Sequence, residues 1–139
     1  MSINDSKWLG AFALNPGLFV GGEVSGQAEA GSASGVYLQL SINPGYTVAL
    51  QSASPLTISL PAILGLSGTN YYECGTTPTF GYVQFGPVFS VPLSCTPKSF
   101  GTWTVKEAAE FLFLGETLKP LNDNHVFKPI GRSDISAVY

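Results

Sequence analysis

Charged residues are scarce in this chain, and their scarcity is the first constraint on its function. Only 11% of its 139 residues are Asp, Glu, Lys or Arg, against about 25% in an average soluble domain. Between Gly31 and Pro97 the single formal charge is Glu73. Such a segment is either well buried or faces something other than water. Disorder is excluded, because disordered chains are polar and rich in charge.

The chain also lacks a basic excess and the residues of a catalytic or metal site. Six Lys and Arg against nine Asp and Glu give a net charge of −3, which excludes a nucleic-acid partner. His125 is the only histidine, so no histidine pair can hold a metal, and the serines have no His–Asp partners. The sequence therefore predicts no enzyme and no cofactor. Cys74 and Cys95 fall near opposite ends of one predicted strand, which favours free thiols in a membrane barrel, whereas a disulfide between them would favour a sandwich.

Long unbroken apolar runs are missing as well. A membrane-spanning helix needs about 20 mostly apolar residues. The uncharged region is interrupted by prolines at positions 44, 55, 61, 78, 87 and 92, and no helix survives that spacing. The chain is instead rich in turn and strand residues, with 16 Gly, 10 Pro and 12% aromatics, which favours short strands joined by turns.

Alternation with a period of two dominates the chain and predicts β-strands. From Val36 to Leu50 one face is entirely apolar or aromatic, and the other is mostly small or polar. Similar runs follow at 56–69, 80–93, 102–113 and 127–139, and shorter runs precede them at 8–14 and 18–27. The pattern predicts an all-β antiparallel up-and-down meander of six or seven strands. We expect residues 1–7 to form an N-terminal tail and residues 8–139 a single domain.

The same alternation assigns side chains to the two faces of the sheet. The expected apolar set is Leu38, Leu40, Ile58, Leu60, Leu64, Phe85, Phe89 and Phe111. Gln39, Ser41, Ser59 and Gln84 are expected on the opposite face. A register error of one residue would exchange the two sets.

Two architectures suit strands with one apolar face. In a soluble β-sandwich the apolar face forms the core, whereas in a membrane barrel, or part of one, it contacts lipid. The middle strands carry Gly, Ser, Asn, Gln and Thr on the other face, which suit a narrow lumen. The long polar connection at 116–125 and the C-terminus fall at opposite ends of the meander, as in outer-membrane barrels.

Charged side chains on the polar faces are the best candidate functional group. They are Glu23, Lys106, Glu110, Lys128, Arg132 and Asp134. One interpretation is a salt-bridge network that fills a lumen, and the other is a charged constriction that selects solutes. Three acids balance three bases, so strong ion selectivity is not predicted. Glu107 falls on the apolar face, at an interface or a subunit contact.

Short segments of the chain resemble the C-terminal portion of uncharacterised bacterial outer-membrane β-barrel proteins of porin type. The segments lie at 35–40, 80–82, 90–93 and 101–104, and the last residues, Ile135 to Tyr139, alternate and end on an aromatic as a closing strand does. The resemblance covers about residues 8–139. It implies an outer-membrane antiparallel barrel and supplies no catalytic residues.

The functional expectation is therefore a bacterial outer-membrane pore or structural membrane protein in contact with the lipid bilayer. Single-chain barrels begin at eight strands, so six or seven strands predict that the sheet is completed by self-association, by a further chain or by a missing N-terminal segment. The alternative is a soluble all-β binding or assembly subunit of a larger complex, such as a virion or a secreted assembly. The predicted pairing edges are Trp8–Leu14 and Phe127–Tyr139.

Overall fold

In the computed structural model, nine strands form one antiparallel sheet, which confirms the predicted all-β meander. The structure describes residues 1, 3–10, 13–22, 35–49, 54–69, 71–72, 80–94, 99 and 101–138. The strands are β1 Gly17–Gly22, β2 Val36–Ile42, β3 Gly45–Val48, β4 Leu56–Ser59, β5 Ala62–Thr69, β6 Phe80–Phe85, β7 Val88–Leu93, β8 Thr102–Leu114 and β9 Phe127–Val138. A helical turn, α1 Ser6–Leu9, and a 3₁₀ turn, Lys119–Asn122, accompany them. Within these residues no helix is both long enough and apolar enough to cross a membrane.

The nine strands combine into six long ones, because three successive pairs lie end to end. β6 and β7 both pair with β8 and together span most of its length. In the same way β5 pairs with β6 and β4 pairs with β7. On their other side, β5 pairs with β2 and β4 pairs with β3. β9 runs along the other edge of β8, and β1 lies beside β2. Neighbours along the chain are therefore neighbours in the sheet.

A proline stands at each interruption of the long strands. The N–H of a residue on the next strand donates to the proline carbonyl: Leu60 to Pro44 at 2.9 Å, Gly86 to Pro61 at 3.3 Å and Ala109 to Pro87 at 3.1 Å. Proline has no N–H with which to return the bond. Each of these three boundaries between neighbouring strands therefore lacks one backbone N–H donor. The three prolines lie on one line across the sheet, the proline line. The long strand predicted at 36–50 is for this reason divided at Asn43–Pro44.

The N-terminal residues correct one prediction. In the run Trp8–Leu14, predicted as an edge strand, Trp8 and Leu9 lie in the helical turn α1 instead, and none of its described residues belongs to a strand. The Asp5 carboxylate accepts the N–H groups of Leu14 at 3.1 Å and Asn15 at 2.9 Å, so the chain closes a loop before β1. These bonds, above all the one from Asn15, hold the pKa of Asp5 below its usual value. The local hydrogen bonds of Asp5 thus override the alternation of the sequence.

The sheet is open, since β1 and β9 do not pair with each other among the described residues. The outer edge of β1 is partly covered by the N-terminal residues: Leu18 N–H donates to Met1 O at 2.8 Å, and Ile3 N–H donates to Pro16 O at 2.9 Å. In the described part of the chain, the 12-residue β9 pairs only with β8. Its outer edge is therefore the longest edge left to pair, as predicted for the last strand.

The two faces of the sheet differ in chemistry as predicted. Cross-strand partners on the apolar face are Leu38↔Leu66, Leu40↔Leu64, Leu64↔Val83, Ile58↔Phe89 and Phe85↔Phe111. Partners on the polar face are Gln39↔Gly65, Ser41↔Ile63, Ile63↔Gln84 and Ser59↔Val88. β8 is not interrupted, and it pairs with both β6 and β7. Each face therefore continues from one side of the proline line to the other. Leu60 lies between two strands, in the proline line.

Many apolar side chains of the sheet are exposed, whereas several side chains on the polar face are buried. Large apolar side chains are exposed, among them Leu40 at 43%, Leu60 at 56% and Ile135 at 65%. The polar face instead holds buried residues, which include Tyr37, Ser67 and Glu110. No large side chain in the described residues is fully buried. The most buried side chains of the described sheet therefore lie on its polar side, while its apolar side is largely exposed.

Candidate functional site

A buried carboxylate ties three strands together on the polar face. Glu110 on β8 is 6% exposed, and both of its carboxylate oxygens are engaged. Gln84 Nε2 on β6 donates to Oε2 at 2.9 Å. Arg132 Nη2 on β9 donates to Oε1 at 3.0 Å, while the Arg132 side chain stays 60% exposed. The network satisfies a charge that would be costly if left unpaired, and it fixes the guanidinium on the polar face.

The other predicted charges share this face. Lys106 and Asp134 are direct cross-strand partners on β8 and β9, and Lys128 stands opposite Leu112. All three are exposed. Glu23 lies outside the described residues. The structure therefore brings five of the six predicted residues onto two adjacent strands, and it joins Glu110 and Arg132 directly.

The charges alternate in sign across the β8–β9 seam. Arg132 stands opposite Ala108 and reaches Glu110 diagonally, and Lys106 stands directly opposite Asp134, so these two bases each have an acid beside them. Opposite charges in cross-strand positions favour this register of the two strands. Lys128 adds one cation without such a partner at its register position. Three bases and two acids give these five residues a net charge of only +1.

Glu107 is the acidic residue on the apolar face, and it also contacts β9. Ser133 Oγ donates to Glu107 Oε2 at 2.6 Å, and the two residues are cross-strand partners. The other neighbour of Glu107 in the sheet is Phe89 on β7. One oxygen of this exposed carboxylate is thus satisfied within the sheet.

Aromatic rings form a second group on the polar face that sequence reasoning did not assign. Tyr37 is at its centre, with ring centroids 6.1 Å from Phe19, 5.0 Å from Tyr71 and 6.3 Å from Tyr72. The Tyr37 hydroxyl donates to Gln39 Oε1 at 2.9 Å and lies 2.9 Å from the Tyr82 hydroxyl. Tyr71, Tyr72 and Tyr82 lie close together along the chain, near the turn between the predicted runs 56–69 and 80–93, whereas Tyr37 belongs to a distant strand and its contact with them leaves no signal in the sequence.

Phenylalanines form a matching row on the apolar face. Phe85, Phe111, Phe113 and Phe127 lie on three neighbouring strands, with successive ring centroids 5.1 to 6.1 Å apart. Phe85, Phe111 and Phe127 are all exposed. In the described part of the chain these rings contact one another and form an exposed apolar patch.

A metal centre finds no support in the part of the chain that is described. No three His, Cys, Asp or Glu side chains there lie together as a metal ion requires. His125 is exposed beside the 3₁₀ turn, where its N–H donates to Asn122 O at 2.8 Å. Cys74 and Cys95 lie outside the described residues.

Replacing Arg132 with methionine is expected to lower the free energy of unfolding by about 2 kcal/mol, because it leaves the buried Glu110 carboxylate with Gln84 alone. Lys128→Met is the control on the same strand, and it should change stability by less than about 0.5 kcal/mol. Denaturant unfolding followed by tryptophan fluorescence measures both. The double variant Glu110→Leu/Arg132→Met should recover part of the loss. Equal losses in Arg132→Met and Lys128→Met would contradict a special role for the network.

Comparisons with models of protein families, with curated proteins and with solved structures find no match to this chain. Its function is accordingly inferred from the chemistry of its two faces.

Proposed function

We propose that this chain is a membrane-spanning β-sheet of the bacterial outer membrane, part of a porin-like or structural β-barrel. Its apolar face contacts lipid and its polar face lines the lumen. The observation that carries the proposal is the reversal of burial: Leu40, Phe85 and Phe89 are more than 40% exposed, while Ser67 and Glu110 are buried on the opposite face. In water so large an apolar surface is unfavourable, whereas in lipid it is the required outer surface.

Strand length supports a membrane location. A tilted strand crosses the hydrocarbon core with about 9 to 11 residues. β8 has 13 residues and β9 has 12, and the end-to-end pairs of shorter strands extend alongside them. Ordinary strands of globular proteins are about 5 to 6 residues long. The sheet is thus tall enough for its apolar face to span a bilayer.

The open edges imply that further strands complete the sheet. In lipid an unpaired backbone N–H or C=O costs several kcal/mol, so spanning sheets close. The long outer edge of β9 offers such groups over its 12 residues, while Met1 and Ile3 already occupy part of β1. The proposed partner is therefore a second copy or another protein chain that pairs with β9. Light scattering with the detergent contribution subtracted reports the mass of the assembly.

Glu107 supports the alternative, a soluble subunit of a protein assembly. This exposed carboxylate stands on the apolar face beside Phe89 and accepts one hydrogen bond, from Ser133. A charged side chain that faces lipid is unfavourable near the bilayer centre. In the alternative a second protein layer covers the phenylalanine row, and Glu107 pairs with a cation of that layer.

Nitroxide labels on adjacent residues of β2 separate the two functions. Cys74 and Cys95 are first replaced by serine, and single cysteines are then introduced at Leu40 and Ser41 for labelling in liposomes. A lipid-facing Leu40 label should be relaxed by oxygen, and a lumen-facing Ser41 label by a water-soluble nickel chelate. A Leu40 label reached by neither reagent would indicate a covering protein layer. Two labels that both respond to the nickel chelate would refute the membrane proposal.

A further inference from the structure

We infer that an aromatic recess on the polar face binds the ring of a neutral carbohydrate. The recess encloses about 300 Å³ at the end of β1, and it is lined by Phe19, Gly21, Gly22, Tyr37 and Tyr71. This volume is at the lower limit of small-molecule sites. The inference goes beyond the proposed function and does not depend on it, since the recess is formed by β1, β2 and the turn that carries Tyr71.

The recess has a fixed floor and open walls. Tyr37 forms the floor: it is 9% exposed, and its hydroxyl is engaged by Gln39 and Tyr82. Phe19 and Tyr71 form the walls and are 54% and 37% exposed. Phe19 is a large apolar side chain that is exposed on the polar face, opposite Gln39. A ring presented in this way offers its surface to a ligand rather than to the core.

Neighbouring residues hold the walls in place before any ligand binds. Tyr71 N–H donates to the hydroxyl of the buried Ser67 at 3.0 Å, and the Tyr72 ring meets the Tyr71 ring edge-on at 5.0 Å. Burial raises the pKa of Tyr72 above its ordinary value, so this ring stays neutral. A Cβ at Gly21 would lie 3.1 Å from the Phe19 ring. Because glycine has no side chain, the Phe19 ring fits beside Gly21.

The chemistry of the lining selects the class of ligand. None of the five described lining residues carries a charge, so none of them compensates an ionic ligand. A purely apolar ligand would cover the polar groups of the recess, including the Tyr71 hydroxyl, without replacing their bonds to water. A pyranose satisfies both conditions, because its C–H face packs on aromatic rings and its hydroxyls form hydrogen bonds at the rim.

Saturation-transfer NMR with methyl α-D-glucopyranoside tests the inference. The full chain is kept in a detergent without a sugar headgroup, and sorbitol serves as a probe that has hydroxyls but no ring. We expect transfer to the ring protons of the glucoside and none to sorbitol. Phe19→Ala and Tyr71→Ala should each weaken binding about three- to tenfold. Tyr71→Phe, which keeps the ring and loses the hydroxyl, should weaken it about threefold.

Tyr46→Ala is the matched control, because Tyr46 is a 62% exposed tyrosine that pairs with Ile58 on the apolar face. It should leave glucoside binding unchanged. Phe19 is so exposed that its removal should preserve the fold, which circular dichroism verifies. The inference is overturned if the glucoside receives no saturation, if sorbitol or benzoate binds as well as the glucoside, or if Phe19→Ala and Tyr46→Ala behave alike. Any of these results leaves the membrane proposal standing.

Discussion

Replacing Leu40 with arginine is expected to destabilise the protein in lipid by about 2 to 4 kcal/mol. Leu40 lies near the middle of the long strand formed by β2 and β3, on the apolar face opposite Leu18 and Leu64. Its side chain is 43% exposed, so in water an arginine would meet solvent there at little cost. In a bilayer the same position places the guanidinium in hydrocarbon. The size of the effect therefore depends on what surrounds the apolar face.

Ser41→Arg is the control for this experiment. Ser41 is the next residue on β2 and belongs to the polar face, opposite Ile63. An arginine in a lumen extends into water, and the variant should lose less than about 1 kcal/mol. Guanidinium-induced unfolding from liposomes measures both variants, and repeating it in aqueous buffer separates lipid from water. Equal stability of the two variants in liposomes would contradict lipid contact at Leu40.

Most of the fold could be predicted from the sequence, because apolar and polar residues that alternate with a period of two are typical of β-strands. The cross-strand pairs Leu40↔Leu64 and Phe85↔Phe111 join residues that alternation had placed on one face. Periodicity could not show where a strand is interrupted, because the backbone changes at Pro44 and Pro61 without a change of face. It also failed at Trp8, where the hydrogen bonds of the Asp5 carboxylate form a loop. Local polar contacts of this kind leave no periodic signal.

The candidate site could be predicted only as far as its face. Alternation placed Glu110 and Arg132 on one surface, but their ion pair depends on the register between β8 and β9. Register is set by the turn and by packing, and a single sequence does not specify it. The aromatic recess is harder still, because Tyr71 reaches it from a turn and Phe19 from another strand. No spacing along the chain connects these two residues.

Replacing Gly86 with alanine is expected to lower the free energy of unfolding by about 3 kcal/mol, at the upper end of what overpacking costs. A Cβ at Gly86 would lie 2.1 Å from the carbonyl oxygen of Ala109 and 2.7 Å from the Cα of Glu110. Both are backbone atoms and cannot rotate away. The strands must therefore separate in the proline line, where Ala109 N–H donates to Pro87 O at 3.1 Å.

Gly131→Ala is the matched control, because Gly131 pairs with the same Ala109 from the β9 side. A Cβ there meets nothing within 4 Å. This variant should be neutral or slightly stabilising, since alanine restricts the unfolded chain more than glycine does. Gly86→Ala should also weaken the Arg132–Glu110 pair, so that adding Arg132→Met costs less than it does in the parent protein. Similar unfolding midpoints for Gly86→Ala and Gly131→Ala would show that β6, β7 and β8 do not approach so closely at this seam.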